Sequence, residues 1–223
     1  MNYSTPRAGE LEEEQLQQFI VPVKKAYHHF ESVITSSQIH FYLSSQITDP
    51  RDYTEMIHRI STASPYDVVF IHLNTVGGRL DTGIQLINAM KNSQAKVITS
   101  LECNAYSLGT LIFLSGDEML VNDHCMMMFH DYSGGTDGKG NEQVSQLAAT
   151  HKWFATLFRK VYIPFLTEAE VERVLKGEDL WMASAEIKTR LNRMIKKLTE
   201  DSQQPKKPKK SKLTSVIDAP LPA

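Results

Sequence analysis

The run Val68-Val69-Phe70-Ile71-His72-Leu73, closed by Asn74-Thr75-Val76-Gly77-Gly78, decides how this chain is built. A short apolar run rich in β-branched residues and stopped by paired glycines predicts a buried strand. On its C-terminal side a helix is expected from about Leu80 to Met90, with Ile84, Leu86 and Ile87 inward. A further strand follows over Lys96–Leu101. On its N-terminal side Gln38–Leu43 reads as a strand, and Tyr53–Ala63 has helical spacing at Met56, Ile57 and Ile60. Strands alternating with helices predict an α/β fold, with parallel strands joined by right-handed crossovers.

The rest of the chain extends this pattern. Leu108–Leu114 is an almost wholly apolar helix closed at Gly116, and a helix apolar on every face is a buried one. Glu118–Val121 and Cys125–His130 are short strand candidates, followed by a loop over 131–140 with Gly134, Gly135, Gly138 and Gly140. The helix expected from about Glu142 to Tyr162 is too long to wrap on a body of this size, so it projects. Helices over Glu168–Lys176 and from Ala185 to about Lys197 complete the pattern, with Asp179 in the turn between them.

Bulk composition bounds the function classes. With 223 residues, 41% hydrophobic and 22% charged, the chain suffices for one well-buried domain plus tails. No apolar run approaches the roughly 20 residues that span a bilayer. The start is polar and acidic, unlike a signal peptide, so a soluble cytoplasmic protein is expected. Cys103 and Cys125 lie among apolar neighbours and read as buried free thiols; neither has a metal-type ligand at recognisable spacing, so no metal or cofactor is expected.

Charge is divided between the ends. Residues 1–20, an acidic arm, carry four Glu and one Arg, or −3; residues 201–223 carry five Lys and two Asp, or +3. The net charge is −2, so the body has no basic footprint for nucleic acid. The expected organisation is an arm over 1–20, a domain over 21–198 with a handle at about 131–165, and a basic, disordered tail over 199–223.

Three residues could carry chemistry. Ser107 follows a strand and opens the buried helix, beside free backbone N–H groups; an ordinary N-cap serine has the same local setting. The nucleophile elbow of α/β-hydrolases is not met, because Ala105 stands where its first glycine belongs. His130 ends a strand just before the glycine-rich loop, and strand C-termini are where ligands gather in parallel sheets. A base of this kind needs a carboxylate to fix its tautomer. Asp131 is adjacent, on the opposite face of an extended chain, and between Glu178 and Asp179 the local sequence does not choose.

The combination resembles a known family. Leu73-Asn74-Thr75-Val76-Gly77-Gly78, then Asn104-Ala105-Tyr106-Ser107-Leu108-Gly109, then Met128-Phe129-His130, then Asp179-Leu180-Trp181-Met182-Ala183-Ser184-Ala185-Glu186 look like the proteolytic subunit of the Clp protease, over about residues 36–190. The resemblance implies an α/β Clp protease/crotonase-like fold of repeated β-β-α units with a projecting helical handle. It implies a serine endopeptidase with Ser107 as nucleophile, His130 as base and Asp179 as its orienting carboxylate. The backbone N–H groups of Gly78 and Leu108 would form the oxyanion hole. Substrate would add as a strand near Gly134 and Gly135. Expected partners are further copies in stacked heptameric rings, an ATP-driven unfoldase of the AAA+ type, and unfolded protein or peptide.

Departures from the family pattern suggest a divergent member, such as a phage-type version. Thr75-Val76 replaces the family's Ser-Pro, Glu102-Cys103-Asn104 replaces a glycine-rich stretch, and the last helix lacks a glycine-containing closing turn. Two alternatives stand beside the peptidase: a catalytically silent scaffold subunit, and a crotonase-like acyl-CoA enzyme in which the Ser-His-Asp set would be idle.

Overall fold

A computed structural model describes residues 30–203. The chain divides into two units, residues 1–35 and 36–223. Of the first, residues 30–35 are described and carry no regular secondary structure. The expected acidic arm, and the basic tail beyond residue 203, lie outside the described residues.

The second unit is built on a six-stranded sheet in the order β1 (Gln38–Leu43), β2 (Val68–Thr75), β3 (Lys96–Tyr106), β5 (Met126–Phe129), β6 (Leu180–Ala183), with β4 (Glu118–Val121) also on β3. β1, β2 and β3 are parallel neighbours. A 3₁₀ turn (Pro50–Tyr53) and α1 (Thr54–Ser61) cross from β1 to β2, and α2 (Leu80–Asn92) crosses from β2 to β3. Alternation in β2 turns Val69, Ile71, Leu73 and Thr75 into the core. Leu86, Ile87 and Met90 of α2 and Met56 and Ile60 of α1 belong to the same core. α3 (Leu108–Phe113) is buried along its whole length, as an all-apolar face demands.

β3 is five residues longer than the sequence pattern suggested, ending at Tyr106 rather than Leu101. The extra length lets one strand carry two short ones on the same edge. Ile98–Leu101 pair with β4 (Glu118–Val121), and Asn104–Tyr106 pair with β5 (Met126–Phe129), both parallel. Glu102 and Cys103 fall in the gap between those ladders, which is why Cys103 is exposed rather than buried; Cys125 is buried as expected. On the outer face His40 stacks on Phe70 and Tyr42 on His72, and His72 bonds both His40 (3.0 Å) and Glu102 (2.7 Å).

After β5 come α4 (Gly140–Tyr162), α5 (Glu168–Leu175), β6 (Leu180–Ala183) and α6 (Ser184–Gln203). The strand β6 is an addition to the expected turn: four residues are too few for periodicity to declare, and only pairing with β5 defines them. It is antiparallel, an edge strand on an otherwise parallel sheet. α6 passes Lys197 and the expected domain end at 198, because no glycine or proline interrupts Lys196–Gln203. In α4 nothing before Phe154 is buried, so more than half of a helix about 35 Å long at 1.5 Å per residue contributes nothing to the core. The projecting handle is therefore present.

α5 and α6 are joined by a half-buried ion pair. Arg190 donates to both carboxylate oxygens of Glu170 at 2.7 and 2.9 Å, while Glu170 also closes a capping box with Thr167. The guanidinium lowers the Glu170 pKa from 4.5 to about 2. A depressed carboxyl stabilises the fold above its unfolded value and loses that contribution as pH falls toward its folded one. Glu170→Gln should therefore cost about 1–3 kcal/mol at neutral pH and flatten the stability curve between pH 4.5 and 2, checked by denaturant melts across that range.

Candidate active site

Ser107 is the residue after β3 and has φ 53° and ψ −120°. A non-glycine residue in this region costs on the order of 1–3 kcal/mol and persists only where its surroundings fix it. Here the Ser107 N–H donates to the Met128 carbonyl at 2.8 Å, at the end of the β3–β5 ladder. The Ser107 carbonyl accepts from the Thr110 N–H at 3.0 Å and from the Thr110 hydroxyl at 2.6 Å.

The glycine turn after β2 packs behind this residue. Gly77 has φ 89°, and a Cβ there would stand 2.7 Å from the Tyr106 carbonyl oxygen and 2.9 Å from the Ser107 Cβ. At Gly78 (φ 149°) a Cβ would fall 2.0 Å from the Ile47 carbonyl oxygen. Ile47 donates to the Gly77 carbonyl at 2.8 Å and accepts from the Arg79 N–H at 2.9 Å. In such a parallel bridge the middle residue turns its own N–H away, so that of Gly78 points away from Ile47. Thr75, in place of the family's serine, has a use: its hydroxyl accepts from the Gly77 N–H at 3.1 Å and donates to the Ser45 carbonyl at 2.6 Å.

β3 and β5 run in parallel, so Ser107 and His130 emerge at the same end of the sheet. Both line a cleft of about 1040 Å³, together with Gly78, Leu108, Gly134 and Gly135. Leu111, Met128, Phe154, Phe158 and Tyr162 also line it. Arg79 sits at the same cleft, held by Asp81 at 2.5 Å and Asp49 at 3.2 Å. A side chain at Gly134 or Gly135 would meet nothing within 4 Å, so packing does not force glycine there. The effect is a bare backbone along the cleft wall.

Asp179 does not line the cleft; it is exposed, just before β6. The antiparallel register ends at Phe129 and Leu180, one step short of His130 and Asp179. Among the described residues no hydrogen bond joins Ser107 to His130 or His130 to Asp179. The competing carboxylates are occupied: Glu178 forms a two-point ion pair with Arg173, which lowers its pKa, and Asp131 accepts from the Tyr132 N–H at 2.9 Å.

No motif in the sequence marks Thr110 or Tyr162 as a site residue. Thr110 left a signal, being the only residue with a side-chain hydroxyl in Leu-Gly-Thr-Leu-Ile-Phe; Tyr162 left none. Among the described residues no group of three or more His, Cys, Asp or Glu could hold a metal ion, and no helix is long and apolar enough to cross a membrane.

The Clp protease family model matches residues 23–189, most of the chain and all of this site. The chain belongs to the Clp protease family. Curated relatives agree at low identity. An ATP-dependent Clp protease proteolytic subunit from Streptococcus suis is 30% identical over 96 residues, 41% of this chain and 48% of the relative. Those of Pleurastrum terricola (29% over 89 residues, 39% of this chain and 45% of the relative) and Streptococcus pyogenes serotype M5 (32% over 87 residues, 37% and 43%) are similar. The chain thus spans about half the length of the curated relatives it matches. The six-stranded sheet, the Gly77-Gly78 turn behind Ser107 and the projecting α4 fit the Clp protease fold expected from sequence.

The glycine turn is testable without any assay of activity. Gly78→Ala should lower stability by roughly 2–4 kcal/mol, since it both strains φ and drives a methyl into the Ile47 carbonyl. A thermal melt within a degree of the parent would contradict the tight Ile47–Gly78 bridge.

Proposed function

We propose that this chain is the proteolytic subunit of a serine endopeptidase, cleaving unfolded proteins or short peptides with Ser107, His130 and Asp179. The observation that carries the reading is Ser107 itself, a serine in a strained backbone at the end of a parallel strand, sharing one cleft with His130. The Ser107 Oγ attacks the peptide carbonyl carbon while His130 takes its proton. The N–H groups of Gly78 and Leu108 receive the oxyanion. Collapse of the tetrahedral intermediate breaks the C–N bond, with His130 returning the proton to the leaving amine; water then repeats the cycle on the acyl-enzyme. Asp179 holds the imidazole in the tautomer that accepts from serine. Substrate lies as an added strand against the bare backbone at Gly134 and Gly135.

The same reading assigns α4 to assembly. Val144, Leu147 and Trp153 stand exposed on its projecting part, where stacked heptameric rings would bury them. An ATP-driven unfoldase would then deliver substrate to the enclosed chamber, and the reaction itself needs no cofactor. The missing Ser107–His130 and His130–Asp179 bonds favour one second reading, a silent scaffold subunit. Apo triads are often loosely aligned, so the bonds alone do not select it.

Labelling with a fluorophosphonate probe decides between them. An adduct on Ser107, absent in Ser107→Ala, is expected; no adduct on a verified oligomer would leave the scaffold reading. Peptide hydrolysis should vanish in Ser107→Ala with fold and assembly intact. Asp179→Asn should slow turnover by up to about 10⁴-fold through the wrong tautomer, while Glu178→Gln leaves it near the parent rate. The reverse ranking would reassign the carboxylate.

A further inference from the structure

No step of the chemistry above uses the buried hydroxyl pair beneath Ser107. Tyr162, the last residue of α4, is fully buried, with its ring edge-on to Phe129 (5.0 Å) and Phe158 (4.1 Å). Its Oη lies 2.5 Å from Thr110 Oγ1, which lies 2.6 Å from the Ser107 carbonyl oxygen. A carbonyl only accepts, so the single Thr110 hydroxyl hydrogen points to it, and Tyr162 is the donor to Thr110. Burial raises the Tyr162 pKa well above its ordinary value, so it remains a donor at any working pH. With the Thr110 N–H, the Ser107 carbonyl holds two donors.

The direction of that carbonyl has a consequence for the cleft. A trans peptide unit is planar, so the Ser107 C=O and the Leu108 N–H share one rigid plane and point opposite ways. Fixing the carbonyl from below aims the N–H from above. Leu108 lines the cleft, and its N–H, at the first position of α3, has no intrahelical acceptor. We propose that Thr110 and Tyr162 are positioning residues that lock the Ser107–Leu108 peptide plane, aim the Leu108 N–H at the oxyanion and so tie the base of the handle helix to the reaction. This rests on the serine-peptidase reading and deepens it.

The test uses the full-length chain with Thr110→Val, Thr110→Ser, Tyr162→Phe and the double variant Thr110→Val/Tyr162→Phe. Peptide-hydrolysis kcat and KM are read alongside thermal melts. Thr110→Val should lower kcat roughly 10-fold at unchanged KM, less than the 10²–10³-fold that loss of a whole oxyanion donor costs. Thr110→Ser should restore kcat, and Tyr162→Phe should lose less, because Thr110 keeps its bond to Ser107. The double variant separates aiming from mere support. Neither hydroxyl is orphaned in it, so the stability lost in Thr110→Val should return, while kcat stays low. Recovery of kcat together with stability, or an unchanged kcat in Thr110→Val, overturns the inference. If Ser107→Ala is inactive in the same assay, that failure belongs to the inference alone; if Ser107→Ala still turns over, the serine-peptidase reading fails first.

Discussion

The hydrogen bond from the Ser107 N–H to the Met128 carbonyl holds together what the rest of the molecule supplies. It closes the β3–β5 ladder one residue beyond Tyr106–Met128, at the point where the chain must leave the sheet and enter α3. Without it the strained backbone at Ser107 has no reason to persist, since a free chain relaxes out of φ 53°. Everything that surrounds the residue acts on this one constraint. The long β3 delivers the serine, the bare Gly77 lets β2's turn press against it, and the buried α3 draws the chain down into the core.

Parallel pairing then does the geometric work of bringing His130 to the same end of the sheet as Ser107. Because β3 and β5 share a direction, their C-terminal ends coincide, and the residues that follow them, Ser107 and His130, meet in one cleft. The glycine-rich segment after His130 forms the opposite wall and is fastened to the first turns of α4, where Gln143 donates to the Gly138 carbonyl at 2.8 Å and Thr136 bonds Gln146. The cleft is therefore lined both by the sheet's end and by α4, through Gln146, Thr150, Phe154, Phe158 and Tyr162. The α4 part of that lining and the α4 surface that the proposed assembly would cover belong to the same element.

Much of this was legible in the sequence, and the reason differs by element. Val68–Leu73 and the helix after Gly77-Gly78 could be read directly, because each buries an apolar face whose period is set by its own geometry. The buried α3 was visible for the same reason. β6 was not, since four residues with only Met182 buried acquire their meaning from β5 alone. The exposure of Cys103 was equally hidden: it depends on where two other ladders stop along β3, which no local pattern encodes. Ser107 and His130 were candidates through family motif order, while Thr110 and Tyr162 are 52 residues apart and joined only by the tertiary fold.

Under the proposed chemistry, the carboxylate is the part that the isolated chain leaves least constrained. The β5–β6 ladder has four pairs and stops at Phe129–Leu180, one short of His130 and Asp179. Directly opposed residues in an antiparallel ladder bring their Cβ atoms within about 4.5–5.5 Å, close enough for a carboxylate to reach an imidazole. A one-pair extension of that ladder would set Asp179 directly opposite His130. On the other side Glu178 is held by Arg173 of α5, and α5 is bound to α6 through Glu170 and Arg190. The segment bearing Asp179 is anchored at both ends, by that ion pair and by β6. On the proposed chemistry, an arrangement of this kind suits a site in which a lengthened β5–β6 ladder brings Asp179 to His130.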